Sequence, residues 1–178
     1  LSLQASAGGR WEGRLSSSAV STATAALALA RTGGEGDRGL VRGATAWLAR
    51  AQNADGGWGD TPDSPGNIAA TLLSICALKV TDSGSLALGR AQEHLAALGA
   101  DDAAGIARAI ARRYGTDRTF ATPILTTCAL AGLTSWREVP ALPLELAALP
   151  RSLHRWLRLQ VVSYALPALI AVGAAIHH

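Results

Sequence analysis

Apolar positions along this chain recur at three- and four-residue spacing in short segments separated by glycine, proline and aspartate. That is the pattern of helices joined by turns. Residues 42–52 carry Leu, Ala, Arg and Gln with no Gly or Pro after Gly43, and read as a helix that turns Trp47 and Leu48 towards a core. Residues 53–59 read as its stop. Asp55-Gly56-Gly57 permits the positive φ of a tight turn, and Gly59 leaves room beside the ring of Trp58. Gln52 and Trp58 then form a polar staple. The amide bonds free backbone groups at the helix end while the indole covers them from water.

The same signature occurs earlier in the chain, where Gln4, Gly9 and Trp11 repeat Gln52, Gly56 and Trp58 at a spacing of 48 by glutamine and 47 by tryptophan. A period of that size holding one helix pair is the mark of a repeat architecture, in which each unit buries its apolar face against its neighbours. A second helix follows each tryptophan. Residues 19–31 have N-cap hydroxyls in Ser16, Ser17 and Ser18, and residues 68–79 have Asn67. A third copy starts at Arg90-Ala91 and runs as helix to about Leu98. It is degenerate, because its glutamine slot falls near Gly99-Ala100 and no tryptophan follows. Further on, residues 122–132 form an apolar helix with Pro123 in its first turn.

Residues 159–176 are the most hydrophobic stretch, long enough to span a bilayer. Gln160, Ser163, Tyr164, Pro167 and Gly173 within it favour a helix that is buried or packed at a cavity. Upstream, Arg151, Arg155 and Arg158 share one helical face beside Trp156, a face suited to solvent or to anionic headgroups.

Composition narrows the classes. At 178 residues and 49% hydrophobic content the chain can bury the core of one domain, and a net charge of +3 is too mild to argue for nucleic acid. Cys76 and Cys128 lie in apolar helical contexts and read as buried free thiols. His94, His154 and the His177-His178 pair have no metal-site spacing to either cysteine, so no metal is expected. Gly34-x-Gly36-x-x-Gly39 nominally matches a dinucleotide fingerprint. It follows an Ala-rich helix instead of a strand, and reads as an interhelix loop. No G-x-S-x-G or phosphate-binding lysine motif is present.

The arrangement Arg42, Gly43, Trp47, Leu48, Gln52, Gly56, Trp58 resembles the QW motif of squalene-hopene and related class II triterpene cyclases. The stretch Trp136, Val139, Pro140, Pro143, Glu145 is similar to that family's W-x-x-V-P-x-x-P-x-E connector. The resemblance implies an all-α fold, an α/α barrel (toroid) of helical hairpins that this chain completes only in part. It spans residues 1–178 as the domain that lacks the catalytic D-x-D-D acid. The chain begins at Leu1, inside a motif, and reads as a piece of something longer.

By the same resemblance the domain supplies one wall of a cavity that folds a squalene-like isoprenoid. The acid comes from another domain or subunit, no cofactor takes part, and the protein is cytoplasmic with peripheral (monotopic) membrane contact. No catalytic residue is then expected in this chain. Gln4, Trp11, Gln52, Gly56 and Trp58 are structural. Tyr164, in Ser163-Tyr164-Ala165-Leu166, stands where the family has an aromatic lining the site and is the one cavity-lining residue carried over. The local alternative is a core tyrosine.

Gly99-Ala100-Asp101-Asp102 looks like a D-x-D-D with its first Asp lost. Both acids precede a helical run from Ala103, where they would cap free N–H groups. A helix N-terminus favours a charged carboxylate, whereas a proton donor must stay neutral. Two other readings stand beside the cyclase. One is a non-catalytic helical repeat module that binds an isoprenoid lipid or a protein. The other is a prenyltransferase β-subunit, which lacks its Asp, Cys and His zinc set here.

Overall fold

In the computed structural model, the described part of the chain is residues 16–140, apart from the Thr119 side chain, together with the backbone of Gln4–Ala5 and Trp11–Glu12. Six helices carry it: α1 (Ala19–Thr32), α2 (Arg38–Arg50), α3 (Ile68–Thr81), α4 (Leu86–Ala97), α5 (Ala103–Tyr114) and α6 (Arg118–Leu130). Two two-residue strands, β1 (Gln4–Ala5) and β2 (Trp11–Glu12), pair antiparallel with Ala5 opposite Trp11, and they leave the all-α class intact.

The organising helix is α3. Its sequence is apolar on every side, and every residue from Ala70 to Leu78 is buried. A helix of that kind is stable only when it is surrounded. Here α1 and α6 flank it, and α2, α4 and α5 pack against it from outside. The C-terminal ends of α1, α3 and α6 lie together. Arg31 Nη2 donates to Leu130 O at 2.8 Å, and Lys79 Nζ donates to Gly132 O. The three therefore run the same way as an inner layer, with α2, α4 and α5 as the outer one. This is an arc of an α/α barrel built from helical hairpins.

Helix starts follow the capping chemistry of the sequence. Ser18 accepts from Ser21 N, Asn67 from Ala70 N and Ser85 from Leu88 N. Three boundaries differ from expectation. A single 3-10 turn at Glu35–Asp37 leads α2 in from Arg38, and α4 begins at Leu86, ahead of Arg90. Likewise α6 begins at Arg118, so Pro123 sits inside the helix and not in its first turn. Pro123 is on the exposed side, so the carbonyl that loses its helix donor there faces outward and not into the core.

Cys76 and Cys128 are the buried free thiols the sequence suggests. They meet across α3 and α6 with their sulfurs 3.7 Å apart. The hydrogen bond to Cys128, and then burial, push the Cys76 thiol well above its ordinary value of 9.0. A thiol raised in the folded state holds its proton where the unfolded chain releases it. Its contribution is therefore intact below the unfolded value and is lost as pH rises above it. The denaturant midpoint is expected to fall as pH rises past 9.0, and to fall less in Cys76→Ala, measured as the difference between the two titrations.

Candidate functional site

The best-defined constellation is the turn that joins α2 to α3. Asn53 N donates to Gly57 O and Gly56 N to Asn53 O, with Gly56 at φ 87°. A Cβ at Gly56 would stand 2.6 Å from Arg90 O, so the position needs glycine for both conformation and space. Trp58 is buried at 1% exposure, and its Nε1 donates to Leu48 O at 2.9 Å. Its backbone N–H donates to the buried Thr71 hydroxyl, and its carbonyl accepts from Asn67 N. One tryptophan thus closes the end of α2 and seats the first turn of α3.

The division of labour within the staple differs from expectation. The indole itself caps the carbonyl of α2. Gln52 Nε2 reaches away from that helix end, to Gly56 O and to Ala87 O of α4, each at 2.8 Å. Gly59 is also small for a different reason. A Cβ there would meet Ser64 O at 2.4 Å, so the returning loop imposes the constraint and not the Trp58 ring.

Two residues of this cluster carried no signal on their own. Arg90 Nη2 donates to Asn53 O and Ala54 O at 3.1 and 3.2 Å, and His94 Nδ1 donates to Asp55 O at 2.9 Å. Arg90 holds the slot of Arg42 in the next copy, so the basic residue of one unit clamps the turn of the unit before it. Only the repeat register could have pointed there.

Asp102 is the N-cap of α5 and accepts from Gly105 N. Gly99, in the place of the missing Asp, has φ 65° and ends α4, with Gly99 N bonded to Ala96 O and Ala100 N to Leu95 O. The apparent acid motif is therefore the stop of one helix followed by the start of the next. Among the described residues no group of His, Cys, Asp and Glu could hold a metal, and no helix is long and apolar enough to cross a membrane. An open groove of about 550 Å³ lies where α1 hands over to α2, lined by Leu29, Gly33, Glu35, Arg38 and Arg42 among others. The side chains of Gln4 and Trp11, all of Tyr164, and residues 151–176 lie outside the described residues.

An all-helical arc of hairpins, stapled by Gln52 and Trp58 at the turn from α2 to α3, defines an α/α repeat domain. The chain belongs to the family of squalene-hopene cyclase N-terminal domains, whose model matches residues 1–165. Among its relatives is the enfumafungin synthase of Hormonema carpetanum, 33% identical over 135 residues. Another is a terpene cyclase-glycosyl transferase fusion protein of Humicola fuscoatra, 32% identical over 138 residues. Each alignment covers 74% of this chain and 9% of the relative, so the chain spans about a tenth of the length of these proteins. No solved structure matches it at comparable significance.

The two glycines of the Arg42–Trp58 pattern are expected to respond oppositely to alanine. Gly43 lies inside α2 with nothing within 4 Å of a Cβ, and Gly43→Ala should stabilise by about 0.5–1 kcal/mol. Gly56→Ala should destabilise. Trp58→Phe leaves Leu48 O without its donor and should cost roughly 1–3 kcal/mol. Thermal denaturation of the three variants checks these signs. An unchanged melting temperature in Trp58→Phe would overturn the structural role.

Proposed function

We propose that this chain forms one wall of the hydrophobic cyclisation cavity of a class II isoprenoid cyclase. The family match over residues 1–165 carries this reading. The Arg42–Trp58 segment is its QW motif, and Gln4 and Trp11 belong to an earlier copy. The proton that opens an alkene or epoxide comes from a D-x-D-D carboxylic acid on another domain or subunit. In this chain Asp102 is committed to capping α5, which supports placing the acid elsewhere. The substrate is a squalene-like isoprenoid, and the reaction needs neither cofactor nor metal.

The domain's chemical contribution is shape and an apolar, water-free lining in which a developing carbocation meets no competing nucleophile. Tyr164 adds an aromatic face to that lining, worth about 1–2 kcal/mol of cation–π attraction when desolvated. Any membrane contact is peripheral, through the Arg151, Arg155 and Arg158 face.

The chain alone is expected to turn over no squalene, and addition of a D-x-D-D-bearing partner to restore cyclisation, read by product chromatography. Cyclisation by the chain alone would show that the acid is misassigned. In the reconstituted system, Tyr164→Leu should slow the reaction by roughly one order of magnitude and Tyr164→Phe much less. Equal rates for the two variants would remove Tyr164 from the cavity. A polypeptide filling the cavity in place of an isoprenoid would favour a non-catalytic binding module.

A further inference from the structure

The chain has two cysteines and no methionine, so Cys76 and Cys128 carry its only sulfur atoms. They lie on neighbouring helices of the inner layer that run the same way. Cys76 is in the middle of α3, Cys128 is in the last turn of α6, and both are fully buried. Cys76 Sγ donates to Cys128 Sγ at 3.7 Å. About one turn further on, Lys79 Nζ of α3 donates to Gly132 O just past the end of α6, so a second tie holds the register that brings the sulfurs face to face. Packing alone asks only for a small apolar side chain at each position. What a facing pair of thiols adds is the capacity for a covalent bond between the two helices.

We propose that Cys76 and Cys128 are a latent disulfide that locks α6 to α3 when the protein meets a peroxide. The sulfurs have to close by roughly 1.7 Å, less than 1 Å of movement from each. Cys128 is the one placed to move, because it stands near a helix end that Gly132 terminates at φ 66°, on a helix that packs mainly against α3 and α5. The thiolate of one cysteine attacks a peroxide oxygen and becomes a sulfenic acid, with hydroxide leaving. The second thiolate then attacks that sulfur and expels a second hydroxide. With the two protons the thiols release, two thiols and one hydrogen peroxide give one disulfide and two waters, and the peroxide takes up the two electrons. Burial keeps both thiols from solvent while the core is closed, so oxidation proceeds through local opening of α6 from α3 and is slow. The same burial shelters the bond from reductants once α6 has closed again. The bond joins positions 52 residues apart and brackets α4 and α5, so it restricts the unfolded chain as well as holding the inner layer together. The inference rests on the two cysteines and does not depend on the cyclase reading.

Treatment of the full, natively folded chain with hydrogen peroxide tests it, with free thiols counted and tryptic peptides weighed before and after. Trypsin leaves Cys76 in residues 51–79 and Cys128 in residues 119–137. The expected product is a monomer in which those two peptides are joined with the loss of two hydrogens. Its melting temperature should lie roughly 5–15 °C above that of the reduced chain and return to it with dithiothreitol. Neither the joined peptides nor the rise should appear in Cys76→Ala or in Cys128→Ala, and either variant suffices if the other fails to fold. The absence of methionine confines sulfur oxidation to these two positions. Sulfinic acid at either cysteine in place of the joined peptides, a crosslinked dimer, or a joined chain that melts no higher would overturn the proposal. So would thiols that stay free in the native chain through an exposure that oxidises them fully in the urea-unfolded one.

Discussion

An inner helix with no polar side has to be enclosed, and the described architecture follows from that requirement at α3. Nine consecutive buried residues leave no face for water. Removing one large side chain from such a place, at Leu72 or Ile75, typically costs about 2–5 kcal/mol, because the surroundings collapse only partly into the space. The neighbours of α3 are correspondingly plain. Alanines at positions 19, 23 and 26 bring α1 close, and Cys76 and Cys128 act as small apolar groups where α6 crosses. Small side chains at these contacts let helix backbones approach closely, and this is the physical content of the alanine-rich composition.

Enclosure alone does not fix how α3 is entered from the preceding helix. The Trp58 turn does that with hydrogen bonds, satisfying groups that a helix end would otherwise bury unpaired. The indole serves Leu48 O, the Trp58 amide meets Thr71, and the Trp58 carbonyl meets Asn67 N. The same turn is tied to α4 by Gln52, which donates to Ala87 O, and by Arg90 and His94 of that helix. Three successive helices therefore share one polar knot, and the apolar layer is built around it. Coupling of this kind joins each repeat to the next, as expected for a solenoid-like chain whose units do not bury their own faces.

Much of this was legible in the residues, and the limits have definite causes. Caps at Ser18, Asn67 and Asp102 were readable because a cap is a local interaction between residues three apart. The start of α6 was not, because Pro123 is a strong local signal for a first turn and tertiary packing overrode it. Gln52 and Trp58 were visible as partners in one staple, but their acceptors were not. Ala87 O lies 35 positions away, and no periodicity reports a contact of that separation. Gly59 reads as necessarily small beside a tryptophan, and its close neighbour at Ser64 is hidden for the same reason. Tyr164 stands out by resemblance alone and falls among residues outside the described part.

The segment from Gly99 to Asp102 shows why a short acidic match is weak evidence for chemistry. A helix stop wants a left-handed residue, which Gly99 supplies, and a helix start wants a side-chain acceptor, which Asp102 supplies. Two helices joined by so short a link bring those requirements within four positions, and the result imitates a catalytic string. Gly105 tightens the junction further, since a Cβ there would stand 2.5 Å from Gly99 O. A carboxylate committed to a backbone N–H at such a junction is a poor candidate to approach an alkene. The scaffold thus spends Asp102 on folding, at the start of α5, where the helix end favours its charged form.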